Sequence, residues 1–462
     1  MNFKNIIEEN KELMLKTLKE LLQIRSVLDE ENKTETMPFG KGIDDALNYM
    51  LDVAKKDGFD TLNCDGYAGH ITYGDNDKSI VGVLCHLDVV PEGNNWTYPP
   101  YGATIVGDKI YARGAIDDKG PTVAAYYALK FIKDANIKLK KQIRIILGTD
   151  EETGWRGVAH YFSKHPMPEV GFAPDSSFPL IYGEKGRMSY DISIKHHDAC
   201  LVQNDIVVSI KGGERYNVVL DSVDAYLKVD LSKEFMEYLE KNNLSGDCYK
   251  ENDLYKYELK GVAAHAMEPE KGRNAGTYMC DFLKDYSKNP LVNYVGKLHH
   301  LDHHMKNHNL DYNDYEMGPL TCNIGIIDIT KDSSRVTLDL RYPVRYDAKK
   351  FDEELRHIIE KHDLVITAST NKAPHYVSPS DPLVVLLNEA YVKHSGDTVN
   401  KPFTVGGGTY ASMMPKAVAF GPEMPGEPVL AHQRDEYFSL STFYMSVLIY
   451  IDAIIALGEL DA

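Results

Sequence analysis

Two histidines and a set of carboxylates stand at five separated points of this sequence: His86 and Asp88, Asp117 and Asp118, Glu151 and Glu152, Asp175, and His432. Imidazole and carboxylate groups without a thiolate suit zinc, or a harder ion such as manganese or cobalt. There are enough of them for two ions. The first four points follow apolar runs that read as buried strands, and open α/β sheets gather ligands in the crevice at the carboxyl ends of their strands.

Each point also has a plainer reading. His86-Leu87-Asp88 places an imidazole and a carboxylate two apart, a ligand with its hydrogen-bond partner or an ordinary strand-end histidine. Adjacent aspartates in Arg113-Gly114-Ala115-Ile116-Asp117-Asp118-Lys119-Gly120 repel each other unless a cation sits close; alternatively one caps a helix beginning near Pro121. Glu151-Glu152 poses the same charge problem, which a metal resolves by taking one carboxylate as ligand and leaving the other to move protons. The alternative there is a solvated helix start, since acidic side chains suit the positive end of a helix. Asp175 follows a proline, as turn aspartates do, and His432 reads equally as a rim histidine. Their weight comes from the set.

These groups need a scaffold, and the chain alternates helix with strand. Met1 to Ile24 carries charges among leucines and isoleucines at helical spacing, which predicts an amphipathic helix. A second helix is expected around Asp44 to Lys56. Ser79 to Leu84 and Lys141 to Leu147 are strand-like apolar runs. Pro121 to Ala135 reads as a helix, another opens near Thr153 and runs through Val158 to Ser163, and Gly171 to Asp175 is a further strand end. This order predicts an α/β core with a mostly parallel sheet flanked by helices.

From about Arg187 the pattern changes. Met188 to Ile194, Ile206 to Ile210, Cys322 to Ile329 and Arg335 to Arg341 alternate apolar and polar residues, and charged helices are expected at Lys233 to Asn242 and Asp352 to His362. This predicts an inserted α+β lid of two tandem ferredoxin-like units, with antiparallel sheets that have one wet face. A chain of 462 residues exceeds what one core usually supports. The expected division is 1–186 and 373–462 as two parts of a catalytic domain, with 187–372 as the lid.

Composition excludes other classes. Acidic residues outnumber basic ones 69 to 51, a net charge of −18, so no basic surface is available to neutralise a phosphate backbone and nucleic acid is not an expected partner. Cys64, Cys85, Cys200, Cys248, Cys280 and Cys322 form no CxxC pair and read as reduced thiols of a cytoplasmic protein. No export signal is expected at the charged N-terminus. Tyr444 to Leu457, interrupted by Asp452, reads as a buried helix too short for a bilayer, which needs about 20 residues, so no membrane association is expected.

Val83 to Pro91, Arg113 to Gly120, Asp150-Glu151-Glu152-Thr153-Gly154, Pro174-Asp175 and Ala431-His432-Gln433 together resemble the co-catalytic zinc peptidases and deacylases. That family includes acetylornithine deacetylase, succinyl-diaminopimelate desuccinylase, glutamate carboxypeptidase and carnosinase. The long insertion and the Asp-Asp-Lys-Gly-Pro and Gly-Gly-Gly-Thr-Tyr-Ala segments are most similar to bacterial broad-specificity dipeptidases of the PepV type. The resemblance implies two divalent ions, zinc first, with His86 and Asp175 on one, Glu152 and His432 on the other, and Asp117 bridging. It implies that Asp88 orients His86, that Glu151 is the general base, and that the Asp117-Asp118 peptide is cis.

The implied chemistry is hydrolysis of unblocked dipeptides of varied side chain. Two ions acidify a water held between them, Glu151 takes its proton and later delivers it to the leaving amine, and His265 donates to the oxyanion. Arg341, which by itself also reads as an exposed strand arginine, would clamp the substrate carboxylate. Asn217 and the Gly406-Gly407-Gly408 loop would touch substrate, although three glycines equally suit a bare turn. The doubled lid implies a monomer. An N-acyl-amino-acid deacylase would share every metal ligand, and an inactive metal-binding scaffold is the remaining alternative.

Overall fold

The computed structural model describes residues 2–75, 78–195, 205–330 and 333–460; Cys200 lies outside them. They form two compact units, Met1–Gly183 with Tyr376–Phe403 and Gly408–Ala462, and Glu184–His375 with Thr404–Gly407.

The first unit is built on strands Asp60–Cys64, Ala68–Tyr73, Gln142–Gly148, Ile80–His86, Val170–Ala173 and Ala417–Ala419, side by side in that order. The last four run parallel. Ala68–Tyr73 runs antiparallel to both its neighbours, Asp60–Cys64 and Gln142–Gly148, so these six strands are mostly parallel, as expected, with one strand reversed that makes the sheet mixed. The hairpin that causes this turns at Asp65 and Gly66, both at positive φ (55° and 74°), a backbone region that glycine and aspartate tolerate. Ile80–His86 and Gln142–Gly148 are buried at every residue, as strands covered on both faces must be.

Helices Phe3–Leu22, Lys119–Asp134, Pro382–Ser395 and Leu440–Glu459 pack together and share one apolar core with this sheet. Leu440–Glu459 is longer than its sequence reading, because Ser439 caps it by accepting the Thr442 N–H and the chain is already helical at Leu440. At 20 residues it is long and apolar enough by composition to cross a membrane. Its Phe443, Val447, Ile451 and Ile454, however, belong to the core of the first unit.

Two helix starts also differ from expectation. Lys119–Asp134 begins two residues before Pro121, with Asp118 at the cap position but making no side-chain cap. The next helix is Arg156–Lys164 rather than one opening near Thr153. The buried Asp150 carboxylate accepts the Arg156 N–H at 2.9 Å and binds its guanidinium, which draws residues 150–155 into a tight turn before the helix.

In the second unit, eight strands among the described residues form one antiparallel sheet. Its order is Ser245–Glu251, Leu254–Lys260, Ser222–Leu227, Val207–Gly212, Thr321–Ile329, Ser334–Tyr342, Gly186–Ile194 and Leu364–Lys372. The two expected strand-helix sets are therefore merged through the pair Val207–Gly212 and Thr321–Ile329. Gly186–Ile194 alternates buried and half-buried residues, and helices Ser232–Asn242, Ala275–Leu283 and Ala348–Lys361 add to the core on the apolar face.

Candidate metal centre

The parallel strands of the first unit end where the chemistry-bearing residues begin. His86 is the last residue of Ile80–His86, Glu151 and Glu152 follow Gln142–Gly148, and Asp175 follows Val170–Ala173. Asp117 lies in the turn before Lys119–Asp134, and His432 lies in the segment between strands Pro422–Glu423 and Tyr437–Ser439. The five predicted ligands fall into two groups that share Asp117: His86, Asp117 and Asp175, and Asp117, Glu152 and His432.

Distances show how the sharing works. Asp117 Oδ1 is 3.0 Å from His86 Nε2, while Asp117 Oδ2 is 3.1 Å from His432 Nε2. Asp175 Oδ1 lies 3.8 Å from His86 Nε2, and Glu152 Oε2 lies 3.0 Å from His432 Nε2. One carboxylate thus faces both groups, one oxygen to each histidine. Donors around a single tetrahedral zinc stand about 3.3 Å apart, given bonds near 2.0–2.1 Å, so both groups are close to that size.

The protonation of His86 supports the same fit. Its Nδ1 lies 3.0 Å from the Asp88 carbonyl oxygen, which can only accept, so Nδ1 carries a hydrogen and Nε2 is the ring atom turned to the Asp117 and Asp175 carboxylates. That atom is buried without a hydrogen-bond partner and looks at carboxylate oxygens, an arrangement that a positive charge, either a second ring proton or a metal ion, makes favourable. Burial alone would lower the His86 pKa, but Asp117, Asp175 and Asp88 outweigh it and push it up. At His432 the Asp117 and Glu152 carboxylates raise it to about 10. Burial, then Asp117, lifts Glu152 to about 7. The donor set therefore fits two divalent cations. A third grouping, Cys64, Asp65 and His160, differs because Lys164 Nζ already pairs with Asp65 at 2.6 Å.

Asp88 supports the centre in another way than expected. Its carboxylate is 3.6 Å from His86 Nδ1, and the ring bonds to its backbone carbonyl instead. The carboxylate accepts the backbone N–H groups of Glu151 and Glu152 at 3.1 and 3.0 Å. It is held there because both amides point out of the turn that Asp150 closes. Asp118 does not cap its helix either: Oδ2 accepts the His86 N–H at 3.0 Å and the Thr122 hydroxyl at 3.2 Å. The Asp117-Asp118 peptide is cis.

Glu151 is four residues short of a helix, so the helix-start reading of the acidic pair does not apply. Its Oε1 accepts the Trp155 indole N–H at 3.1 Å. Burial, followed by the charge of Asp175, pushes its pKa well up, as suits a group that exchanges protons. Tyr410 packs beside it against Trp155 and His86. Gly148 makes room, since a Cβ there would fall 2.3 Å from the Tyr410 hydroxyl oxygen.

His265, Asn217 and Arg341 belong to the second unit with Gly406 and Gly407, whereas Gly408 belongs to the first. Within the second unit these residues are neighbours. The Asn217 carbonyl accepts the Ala266 N–H at 3.0 Å, and Arg341 Nη1 donates to the Gly406 carbonyl at 3.4 Å. Gly406 lies so close to Met267 that a Cβ would meet it at 2.8 Å. His265 Nδ1 accepts the Met267 N–H at 3.1 Å, which leaves Nε2–H as the donor, and burial and Arg341 lower its pKa. Arg341 is not an exposed strand residue: it is buried, and its Nε donates to the wholly buried Asp339 at 2.7 Å. Arg187, its cross-strand partner, binds the other oxygen of Asp339 at 2.7 Å.

Sequence reasoning passed over Asp339 and Arg187, although Asp339 and Arg341 two apart on one strand share a face. It also missed the Arg113–Glu436 pair, whose partners are 323 residues apart in sequence and leave no local signal.

A mixed α/β core whose strand ends gather overlapping histidine and carboxylate triads is the architecture of a metal-dependent hydrolase. Residues 82–456 match the family described as Peptidase family M20/M25/M40. The chain is 38% identical over 99% of its length to the whole of a Bacillus subtilis protein named "Putative dipeptidase YtjP". A Staphylococcus haemolyticus relative with the same kind of name is 36% identical over 98% of this chain and 99% of its own. Among solved structures, human carnosine dipeptidase 1 superposes with a TM-score of 0.57 at 14% identity, covering 99% of this chain and 98% of that one. The M20 family metallo-carboxypeptidase of Sulfolobus solfataricus gives 0.57 at 18% identity, covering 96% and 99%; at such identities the likeness is one of fold. The chain belongs to Peptidase family M20/M25/M40 and is a metallopeptidase.

Proposed function

We propose that this chain is a dipeptidase that hydrolyses unblocked dipeptides of varied side chain, using two divalent cations, zinc in the first place and manganese or cobalt as alternatives. The observation that carries the reading is the shared Asp117, one oxygen toward each histidine. The names of the relatives above support the choice of substrate class. His86, Asp117 and Asp175 would hold one ion and Asp117, Glu152 and His432 the other. Bound there, the ions would supply Lewis acidity and acidify water.

The protein's own groups do the rest. Glu151 takes the proton of the attacking water, and its raised pKa allows it to keep that proton until the amine leaves. Trp155 fixes the Glu151 carboxylate, and Asp88 fixes the backbone that carries Glu151 and Glu152. The neutral His265, with its hydrogen on Nε2, suits donation to an oxyanion. Arg341, oriented by Asp339, is assigned to the substrate carboxylate, with Asn217 and the Gly406–Gly408 loop along the peptide. Residues 187–372 act in this reading as a lid on a catalytic domain made of 1–186 and 373–462, in a cytoplasmic monomer.

The test is hydrolysis of alanyl-leucine beside its N-acetyl form, after chelator stripping and with zinc or manganese returned. Metal-restored cleavage of the free dipeptide alone is expected. Preference for the acetylated form would make the chain an N-acyl-amino-acid deacylase, and turnover of neither would leave a metal-binding scaffold.

A further inference from the structure

A substrate amine poses a problem of distance. In a dipeptide the free nitrogen is two bonds from the carbonyl carbon under attack, about 2.5 Å away. Any group that reads the amine must therefore border the metal centre itself. The carboxylates of Asp117, Glu151, Glu152 and Asp175 carry four negative charges, which two divalent ions match, so an arriving ammonium needs an anion of its own.

Few candidates remain around the centre. Asp88 is occupied by two backbone amides, Asp118 by the His86 N–H and Thr122, and Glu436 by Arg113 and the Ile116 N–H. Glu423 is different. Strand Pro422–Glu423 pairs with Ser176–Ser177 directly after Asp175, and the Glu423 carboxylate accepts one neutral hydroxyl, that of Ser177, at 2.8 Å. No cationic side chain among the described residues pairs with it. The nearby Lys401 turns away and donates to the Thr398 carbonyl at 2.8 Å. Ser177 stands two residues after Asp175, on the same strand face, so its bond to Glu423 sets that carboxylate beside the Asp175 end of the centre; burial raises the Glu423 pKa against the Ser177 hydrogen bond, with the charges of Asp117 and Asp175 adding to the rise.

Glu423 also lines a cavity of about 420 Å³ that lies wholly within the first unit. The walls include Phe178, Pro179, Phe403, Met424 and Val429. Apolar walls joined by a few charged and polar groups, here Glu423, Glu427, Lys401 and Asn400, are the usual form of a small-ligand site. We infer that Glu423 is the specificity-determining residue that receives the α-ammonium of an unblocked peptide, with the neighbouring cavity taking that residue's side chain. The inference rests on the dipeptidase reading and adds what separates it from deacylation, since an N-acyl group offers no charge to Glu423.

The test compares alanyl-leucine with propionyl-leucine, which lacks only the amine, in the metal-loaded wild type and in Glu423→Gln. Discrimination between the two in kcat/KM is expected to fall about 10- to 100-fold, the size of a hydrogen bond to a charged group, chiefly through KM. Calorimetric binding of both compounds in a Glu151→Gln background is expected to show the same loss in Kd, with metal content unchanged. Should Glu423→Gln fail to fold, Glu423→Asp keeps the charge one methylene further back and is expected to lose part of the discrimination. A wild type that prefers alanyl-leucine while the Glu423 variants keep that preference in full overturns the inference alone. A wild type that prefers propionyl-leucine overturns the dipeptidase reading and this inference together.

Discussion

Arg113 Nη1 meets Glu436 Oε2 at 2.5 Å, with both side chains almost entirely buried. The pair binds together the two loops that carry the shared carboxylate and the outer histidine. Glu436 Oε1 also accepts the Ile116 and Asp117 N–H groups at 3.0 and 3.4 Å, and the Arg113 guanidinium donates to the His432 and Gln433 carbonyls at 3.3 and 3.2 Å. Removing one partner of a buried pair strands the other charge, at a cost of about 3–5 kcal/mol. Glu436→Gln is therefore expected to lose that much stability in urea unfolding, and to bind metal more weakly at the His432 side.

Asp117 and His432 should be distinguishable by counting ions. His432 belongs to one donor group and Asp117 to both. After dialysis against trace zinc, elemental analysis is expected to find about one equivalent fewer in His432→Ala than in the wild type, and close to none retained by Asp117→Asn. Equal retention by the two variants would contradict a shared carboxylate.

Asp88 acts on the centre through backbone rather than through the imidazole. Asp88→Asn keeps the main-chain carbonyl that orients His86 but replaces one of the two oxygens that hold Glu151 and Glu152 with an amide donor facing an N–H. Partners of this kind typically matter by 10- to 100-fold. A fall of that size in kcat is expected, with the metal equivalents bound by His86 retained.

The core strands and most helices were legible because apolar runs and helical periodicity are local. The residues at strand ends were legible because adjacent like charges such as Asp117-Asp118 and Glu151-Glu152 demand an explanation within a few residues. What escaped depends on distant chain segments. The antiparallel hairpin Asp60–Cys64 and Ala68–Tyr73 carries too little alternation to declare its direction. The merging of two strand-helix sets into one sheet depends on a single strand pair. The bonds of Glu436 and Glu423 form only when segments more than two hundred residues away in sequence come beside them. Asp88 was legible as important but not for its actual bonds, since residue spacing cannot say whether a carbonyl or a carboxylate meets the ring.

Arg341 gives a test within the second unit. Asp339 holds both Arg341 and Arg187, and its own oxygens are wholly buried. Asp339→Asn leaves two guanidinium groups to share one neutral acceptor, so Arg341 loses its fixed orientation. The expected result is a rise in KM for dipeptide of about 10-fold or more, the worth of a charge-assisted hydrogen bond, with kcat much less affected. A fall in kcat at constant KM would place Arg341 elsewhere than at the substrate carboxylate.

Acid stability supplies the last test, away from the metal centre. His308 is buried in the second unit, where its Nε2 bonds the Tyr294 hydroxyl at 3.1 Å and its Nδ1 has no partner. Its ring lies 4.5 Å from that of the equally buried His299. Burial lowers the His308 pKa to about 4 and holds His299 well below its usual value. Each is therefore neutral in the folded protein at a pH where the unfolded chain is already protonated. Between pH 6.5 and about 4 the unfolded state binds more protons, so unfolding free energy must fall as pH falls, by about 1.4 kcal/mol per pH unit for each such histidine. His308→Gln is expected to be less stable at pH 7 yet to lose that increment of slope over this window, while His299 and the half-buried His70, whose pKa burial lowers to about 3, continue to contribute theirs. A variant whose stability falls with acid as steeply as the wild type would mean that His308 already carries its proton in the folded protein.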